Sequence, residues 1–210
     1  MQETQTNEQL QQLFRHLELE KLDENLYRTK HANEGWFRVY GGQVLCQALL
    51  SATHTVPKNR HVHSLHAYFL RPGDLNHPII FQVDRIRDGK SFTTRRIVAI
   101  QHGRAILNLS TSFQVDEPGL NHQIEMPDVP PPEECDDRAQ MVERFRGKVS
   151  DDILERFTGP FAIDLRHVDA DSIFSNRPKP PTNSVWFRLN AELPEHYTQH
   201  SHLLAYASDM

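Results

Sequence analysis

Three groups of residues in this 210-residue chain have types or spacings that could do chemistry. The first is Gly41-Gly42, placed directly ahead of an apolar stretch of helical period: Val44, Leu45, Ala48, Leu49 and Ala52. Two residues without side chains at a helix start let a carbonyl or a phosphate reach the first N–H groups, which have no partner inside the helix. The same pair would also serve tight packing where an extended chain turns into a helix. The second group is His61, His63 and His66. A metal site needs convergence, and on a strand His61 and His63 share one face while His66 takes the other. His66 therefore reads as a pocket-lining or structural histidine. The third group is basic: Arg71, Arg87, Lys90, Arg95 and Arg96, at predicted strand ends and turns. These could meet phosphates, or stand as solvated charge on sheet edges.

The chemistry open to these residues is bounded by composition. Hydrophobic residues make up 38% and charged residues 24% of the chain, a globular profile. A net charge of -5 argues against nucleic acid as the main partner, so an anionic ligand would need local basic groups. Cys46 and Cys135 are far apart in sequence and offer neither a disulfide framework nor metal-ligand spacing; no metal is expected. No apolar run approaches the ~18 residues of a membrane helix, and the polar, acidic start MQETQTNEQLQQLF does not have the form of a signal peptide. A cytoplasmic protein without membrane insertion is expected.

The elements that must position these residues follow from periodicity. Leu10, Leu13, Phe14 and Leu17 predict a leading amphipathic helix over 8–18, and a short strand is expected at 26–28. The stripe beginning at Gly41-Gly42 predicts a buried helix ending at Pro57. The period then changes to two. Residues 62–70, 79–87, 91–101 and 105–114 read as strands separated by Arg71-Pro72-Gly73-Asp74, Asp88-Gly89 and His102-Gly103 turns. One helix covered by one curved antiparallel sheet is an α+β arrangement with the sheet wrapped around the helix. Residues 116–184 read as a Pro-rich linker carrying a helical segment that starts near Asp136-Asp137. Residues 185–190 read as a strand, broken at Leu193-Pro194-Glu195, and 200–209 as a helix. Strand then helix repeats the order of the first unit. The expected organisation is thus a first unit over 1–115, the linker over 116–184, and the start of a second unit over 185–210.

Several of these segments together resemble the acyl-CoA thioesterase II family. They are Tyr40-Gly41-Gly42-Gln43-Val44 with Gln47-Ala48-Leu49; residues 63–74, HSLHAYFLRPGD; Arg87-Asp88-Gly89-Lys90-Ser91-Phe92 with Arg95-Arg96; and Leu204-Ala205-Tyr206-Ala207-Ser208-Asp209. The resemblance implies a double-hotdog fold, with the first hotdog unit whole and the second incomplete in this chain. It implies hydrolysis of acyl-CoA to a free fatty acid and CoA by carboxylate-activated water, with no cofactor, and assembly into a homo-oligomer through the hotdog sheets. It also implies a trio of Asp, Thr and Gln that orients the water. Asp209 matches the Asp; the Thr and Gln lie later in the second unit and match no position here. Truncation ahead of them is the expectation, with a non-catalytic acyl-CoA-binding or assembly module as the alternative. Family helices present their N-termini to thioesters, which makes Gly41 and Gly42 candidate substrate contacts, with His66 and Arg71 beside them. As the last residue but one, Asp209 is itself expected to be solvated and unpositioned, on a frayed end.

Overall fold

Residues 2–31, 37–158, 161–175, 177–193 and 200–210 are described by the structure, a computed structural model. They form two compact units: one from Met1–Gln11 with Asn121–Leu193, the other from Gln12–Leu120 with Pro194–Met210.

The second of these holds a six-stranded antiparallel sheet of order β1-β2-β4-β5-β6-β3. Its strands are β1 (Leu19–Asp23), β2 (Leu26–Thr29), β3 (His61–Phe69), β4 (Ile80–Asp88), β5 (Phe92–Gln101) and β6 (Arg104–Gln114). Helix α2 (Gly41–Thr53) lies on its inner face, after α1 (Gln2–Leu17), which crosses the division between units. Period-two alternation aims Phe81 and Val83, Ile97 and Ala99, and Leu107 and Leu109 at Val44, Ala48, Leu49 and Ala52 of α2, forming one core. Ala48, Leu49 and Ala52 are wholly buried. The small residues let the helix settle close to the sheet, and this is the hotdog arrangement expected from sequence.

Turn chemistry sets the register. His102 (φ 50) and Gly103 (φ 68) form the two-residue turn between β5 and β6, with Gln101 paired to Arg104. Because β3 lies at the far edge beside β6, the chain after it must cross β6 and β5 to reach β4. Residues 70–79 make that crossing. Leu70 N–H bonds Ile106 O at 2.8 Å, and Val39 N–H bonds Gly73 O at 3.0 Å.

Helix α5 (His200–Ala207) packs on α2 within the same unit. Pro194 and Glu195, read as a break ahead of it, lie outside the described residues.

The other unit carries α3 (Arg138–Phe145), α4 (Asp151–Thr158) and the antiparallel pair β7 (Ile163–His167) and β8 (Val185–Leu189). Asp137 caps α3 in a reciprocal box with Gln140. The single helical segment expected here is two helices, because Gly147 turns the chain at φ 73. Met141, Phe145 and Leu154 form its small buried core. Strand β7 was not anticipated. With it, the order hairpin-then-helix occurs twice: β1-β2-α2 and β7-β8-α5.

Candidate active site

The N-terminal end of α2 opens on a cavity of about 360 Å³. Gly41, Phe69, Arg71, Arg38, Ile106 and Asp209 are among its walls. Residues 70–73 of the crossing segment form another part of the wall, so the topology that forces the crossing also builds the site.

Tyr40 is the N-cap of α2, in extended conformation and without a side-chain cap, leaving the first-turn N–H groups to outside partners. Gly42 N–H donates to Asp209 Oδ2 at 3.2 Å. The carboxylate thus sits at the positive end of a 13-residue helix. Both glycines are required by close approach. A Cβ at Gly42 would overlap the carbonyl oxygen of Tyr206, and one at Gly41 would lie 2.5 Å from Asp209 Oδ2 and 2.9 Å from Phe69 Cζ. The missing side chains of α2 are what allow α5 and its following turn to come so near.

Tyr40 holds that approach. Its hydroxyl donates to Tyr206 O at 2.8 Å, and the two rings meet edge-on at 5.0 Å. Burial, with the Asp209 charge beside it, pushes the Tyr40 hydroxyl far above its ordinary pKa, so it stays a donor. The chain keeps turning after α5: Ser208 N–H bonds Leu204 O, and Met210 N–H bonds Ala207 O. The expectation of an unpositioned Asp209 is therefore corrected. The residue is exposed, but its turn and the Gly42 N–H hold its carboxylate at the cavity.

Of the other candidates, Gly41 and Arg71 line the cavity, and Gly42 touches its carboxylate. Arg71 Nη1 donates to Ala105 O at 2.7 Å, which aims the guanidinium along the wall. His66 does not line the cavity. It is exposed, between the inward-leaning Leu65 and Ala67, on the outer face of β3. His61 and His63 go separate ways, to Asp116 at 3.6 Å and Ser112 Oγ at 2.9 Å. Arg87, Lys90 and Arg96 are exposed away from the lining residues. Arg95, grouped with them by sequence, is wholly buried. Sequence reading missed the roles of Tyr40, Phe69 and Arg38. Tyr40 had a signal: an aromatic residue immediately before a glycine pair at a helix start.

A sheet wrapped on a helix, with a carboxylate and a basic residue converging on that helix's N-terminus, defines a hotdog protein equipped to hold a small polar group at the helix end. Residues 30–114 match the family described as the acyl-CoA thioesterase N-terminal domain. The chain is 36% identical to acyl-CoA thioesterase 2 of Haemophilus influenzae over 200 residues, covering 95% of this chain and 70% of that protein. It is also 36% identical to human acyl-coenzyme A thioesterase 8, over 92% of this chain and 63% of the relative's length. A solved structure of an acyl-CoA thioesterase II from Mycobacterium marinum superposes with a TM-score of 0.69 at 37% identity, covering 95% of this chain and 67% of that one. The chain belongs to the acyl-CoA thioesterase II family.

Among the described residues, no helix is long and apolar enough to cross a membrane.

Proposed function

We propose that the protein hydrolyses acyl-CoA thioesters, with Asp209 as the carboxylate that orients and deprotonates the attacking water. The observation that carries this reading is the meeting of Asp209, Gly41 and Arg71 on one cavity at the N-terminus of α2. In the reaction, water oxygen bonds to the thioester carbonyl carbon and its proton passes to Asp209. The carbon–sulfur bond then breaks, and the proton goes to the departing CoA sulfur. The α2 terminus offers its N–H groups and dipole to the negative charge that develops on the carbonyl oxygen. Gly41 leaves the carbonyl room to reach it. Arg71 and Arg38 suit the phosphates of CoA, and the apolar wall of Phe69 and Ile106 suits the start of an acyl chain.

In the same reading β7, β8 and α5 open a second hotdog unit. Association into homo-oligomers would use the sheet edge at β3, where Tyr68 is 72% and Phe69 52% exposed.

The test is release of CoA thiol from acyl-CoA, followed with a thiol reagent; Cys46 and Cys135 are both buried and contribute little background. Asp209→Asn is expected to lower kcat by about 10²-fold or more while acyl-CoA binding is kept. Unchanged turnover in Asp209→Asn would reject the role of Asp209. Acyl-CoA binding with no turnover by the unaltered protein would favour the non-catalytic module.

A further inference from the structure

The crossing segment and the β5–β6 turn bring together three residues that no part of the proposed hydrolysis uses. Asp74 Oδ2 lies 2.8 Å from His77 Nδ1 and 3.1 Å from His102 Nε2. The two imidazoles meet at a centroid distance of 4.2 Å. The three ligand atoms all fall within 4.8 Å of one another. None of the three residues lines the cavity. We propose that Asp74, His77 and His102 form a binding site for a divalent cation of the zinc type.

The donor set suits that class. Two imidazole nitrogens and one carboxylate oxygen are the ligands of zinc and its neighbours, nickel, cobalt and copper. Four ligands placed tetrahedrally at ~2.0 Å from zinc lie roughly 3.3 Å apart. The two Asp74–histidine separations, 2.8 and 3.1 Å, fall short of that edge by about 0.5 and 0.2 Å, which rotation of the side chains can supply. Solvent reaches the site: the His77 and His102 side chains are 54% and 53% exposed. Water can therefore complete the coordination. Binding would replace the two ring N–H donations to Asp74 by metal bonds, with each ring's proton moved to its other nitrogen.

The cluster is also built rather than accidental in its backbone. Gln101, 4% exposed, holds the segment from below with three bonds: it accepts from Asp74 N–H at 2.8 Å and donates to Asp74 O at 2.9 Å and His77 O at 2.7 Å. Asp74 Oδ1 accepts from Asn76 N–H at 2.8 Å, which turns Oδ2 toward the histidines. The two-residue turn sets His102 in a left-handed conformation, φ 50, which fixes where its ring leaves the backbone. A bound cation would clip the crossing segment to the β5–β6 turn, and so brace residues 70–73 at the cavity wall.

Titration of chelator-treated protein with zinc chloride by calorimetry tests this. One equivalent should bind, and His77→Gln and His102→Gly should each weaken binding by about tenfold or more. His102→Gly suits the purpose because glycine relaxes the left-handed turn, so a loss of binding cannot be ascribed to unfolding. A His63→Gln control, outside the cluster, should bind as the unaltered protein does. The melting temperature should rise with zinc in the unaltered protein and not in His102→Gly. Absence of a stoichiometric site, or binding in both cluster variants equal to that of the unaltered protein, would overturn the proposal.

Discussion

The two ends of helix α2 are secured by opposite means. At the C-terminal end the fold uses large buried polar groups. Arg95, wholly buried, donates through Nε to Thr55 Oγ1 at 2.8 Å and through Nη2 to Thr55 O at 3.0 Å and Asp88 Oδ1 at 2.6 Å. Its Nη1 reaches Arg87 O and Thr94 O. One guanidinium thereby ties the end of the helix to the β4–β5 hairpin. At the N-terminal end the fold uses absent side chains. Gly41 and Gly42 admit Tyr206 and the exposed Asp209, and the Gly42 N–H joins the carboxylate to the helix at 3.2 Å. A buried network fixes a structure firmly; a solvated carboxylate at a helix end keeps a charged group accessible to water and substrate. Under the proposed hydrolysis, one helix separates anchoring from chemistry along its length.

Substitution of the anchor tests the first half of that contrast. Arg95→Met fills similar volume but leaves the carbonyls of Thr55, Arg87 and Thr94 without their donor. A loss of about 3–5 kcal/mol is expected in urea unfolding, since several acceptors lose a charged donor at about 1–3 kcal/mol each, while Asp88, 55% exposed, returns to water. Acyl-CoA hydrolysis per folded molecule should be retained. A large loss of turnover in the folded fraction would show that the two ends are not separable.

The anchored end should also show in the pH dependence of stability. His202 of α5, 5% exposed, sits 2.8 Å from Thr53 Oγ1 through Nε2. That hydroxyl already donates to Leu49 O, so Nε2 carries the proton, and the buried Nδ1 has no hydrogen-bond partner among the described residues. Protonating Nδ1 would bury an unpaired N–H and a charge. Burial, helped by the nearby charge of His54, lowers His202 to about 4. The unfolded chain binds the proton near the ordinary 6.5, so stability is full above that value and falls as pH drops toward 4. The loss is about 3 kcal/mol when complete. Urea midpoints between pH 7.5 and 4.5 check it, and His202→Gln should flatten much of the slope. A residual slope is expected from His54, whose pKa burial and Lys21 also lower.

Much of this architecture was legible in the residue pattern. Strands β3 to β6 and helix α2 follow from clean periods and unambiguous turns. Strand β1 was not read because four of its five residues face solvent and present no alternation. Strand β7 is five residues long inside a segment dominated by proline and helical signals. For two of the site candidates, alternation along the strand carries the answer. Thr93, Arg95, Ile97, Ala99 and Gln101 share one face of β5, so alternation alone puts Arg95 in the core. Likewise Leu65 and Ala67 face inward, which turns His66 outward. The Asp74–His77–His102 cluster was not legible, because it depends on the crossing from β3 to β4 that only the strand order reveals. Asp209 became a candidate through family resemblance alone; a lone Asp near a helix end has no spacing to mark it.

Gly42→Ala probes the other end of the helix, where a smaller cost in stability should accompany a larger cost in function. The new methyl would overlap the Tyr206 carbonyl oxygen and crowd Tyr40 Cε1 at 2.5 Å. Helix α5 can yield by moving outward, at about 1–3 kcal/mol for overpacking, less than the loss of Arg95. Asp209 follows Tyr206 by three residues and must move with it, losing the Gly42 N–H. The Tyr40–Tyr206 hydrogen bond lengthens for the same reason. A displacement of about 1 Å at a reacting group can cost on the order of 10²-fold in rate. Paired measurements on one preparation, urea unfolding and thiol release, should therefore show turnover reduced far more than stability. If Gly42→Ala instead loses as much stability as Arg95→Met while each folded molecule turns over normally, the glycine pair is packing alone and the contrast between the two ends fails.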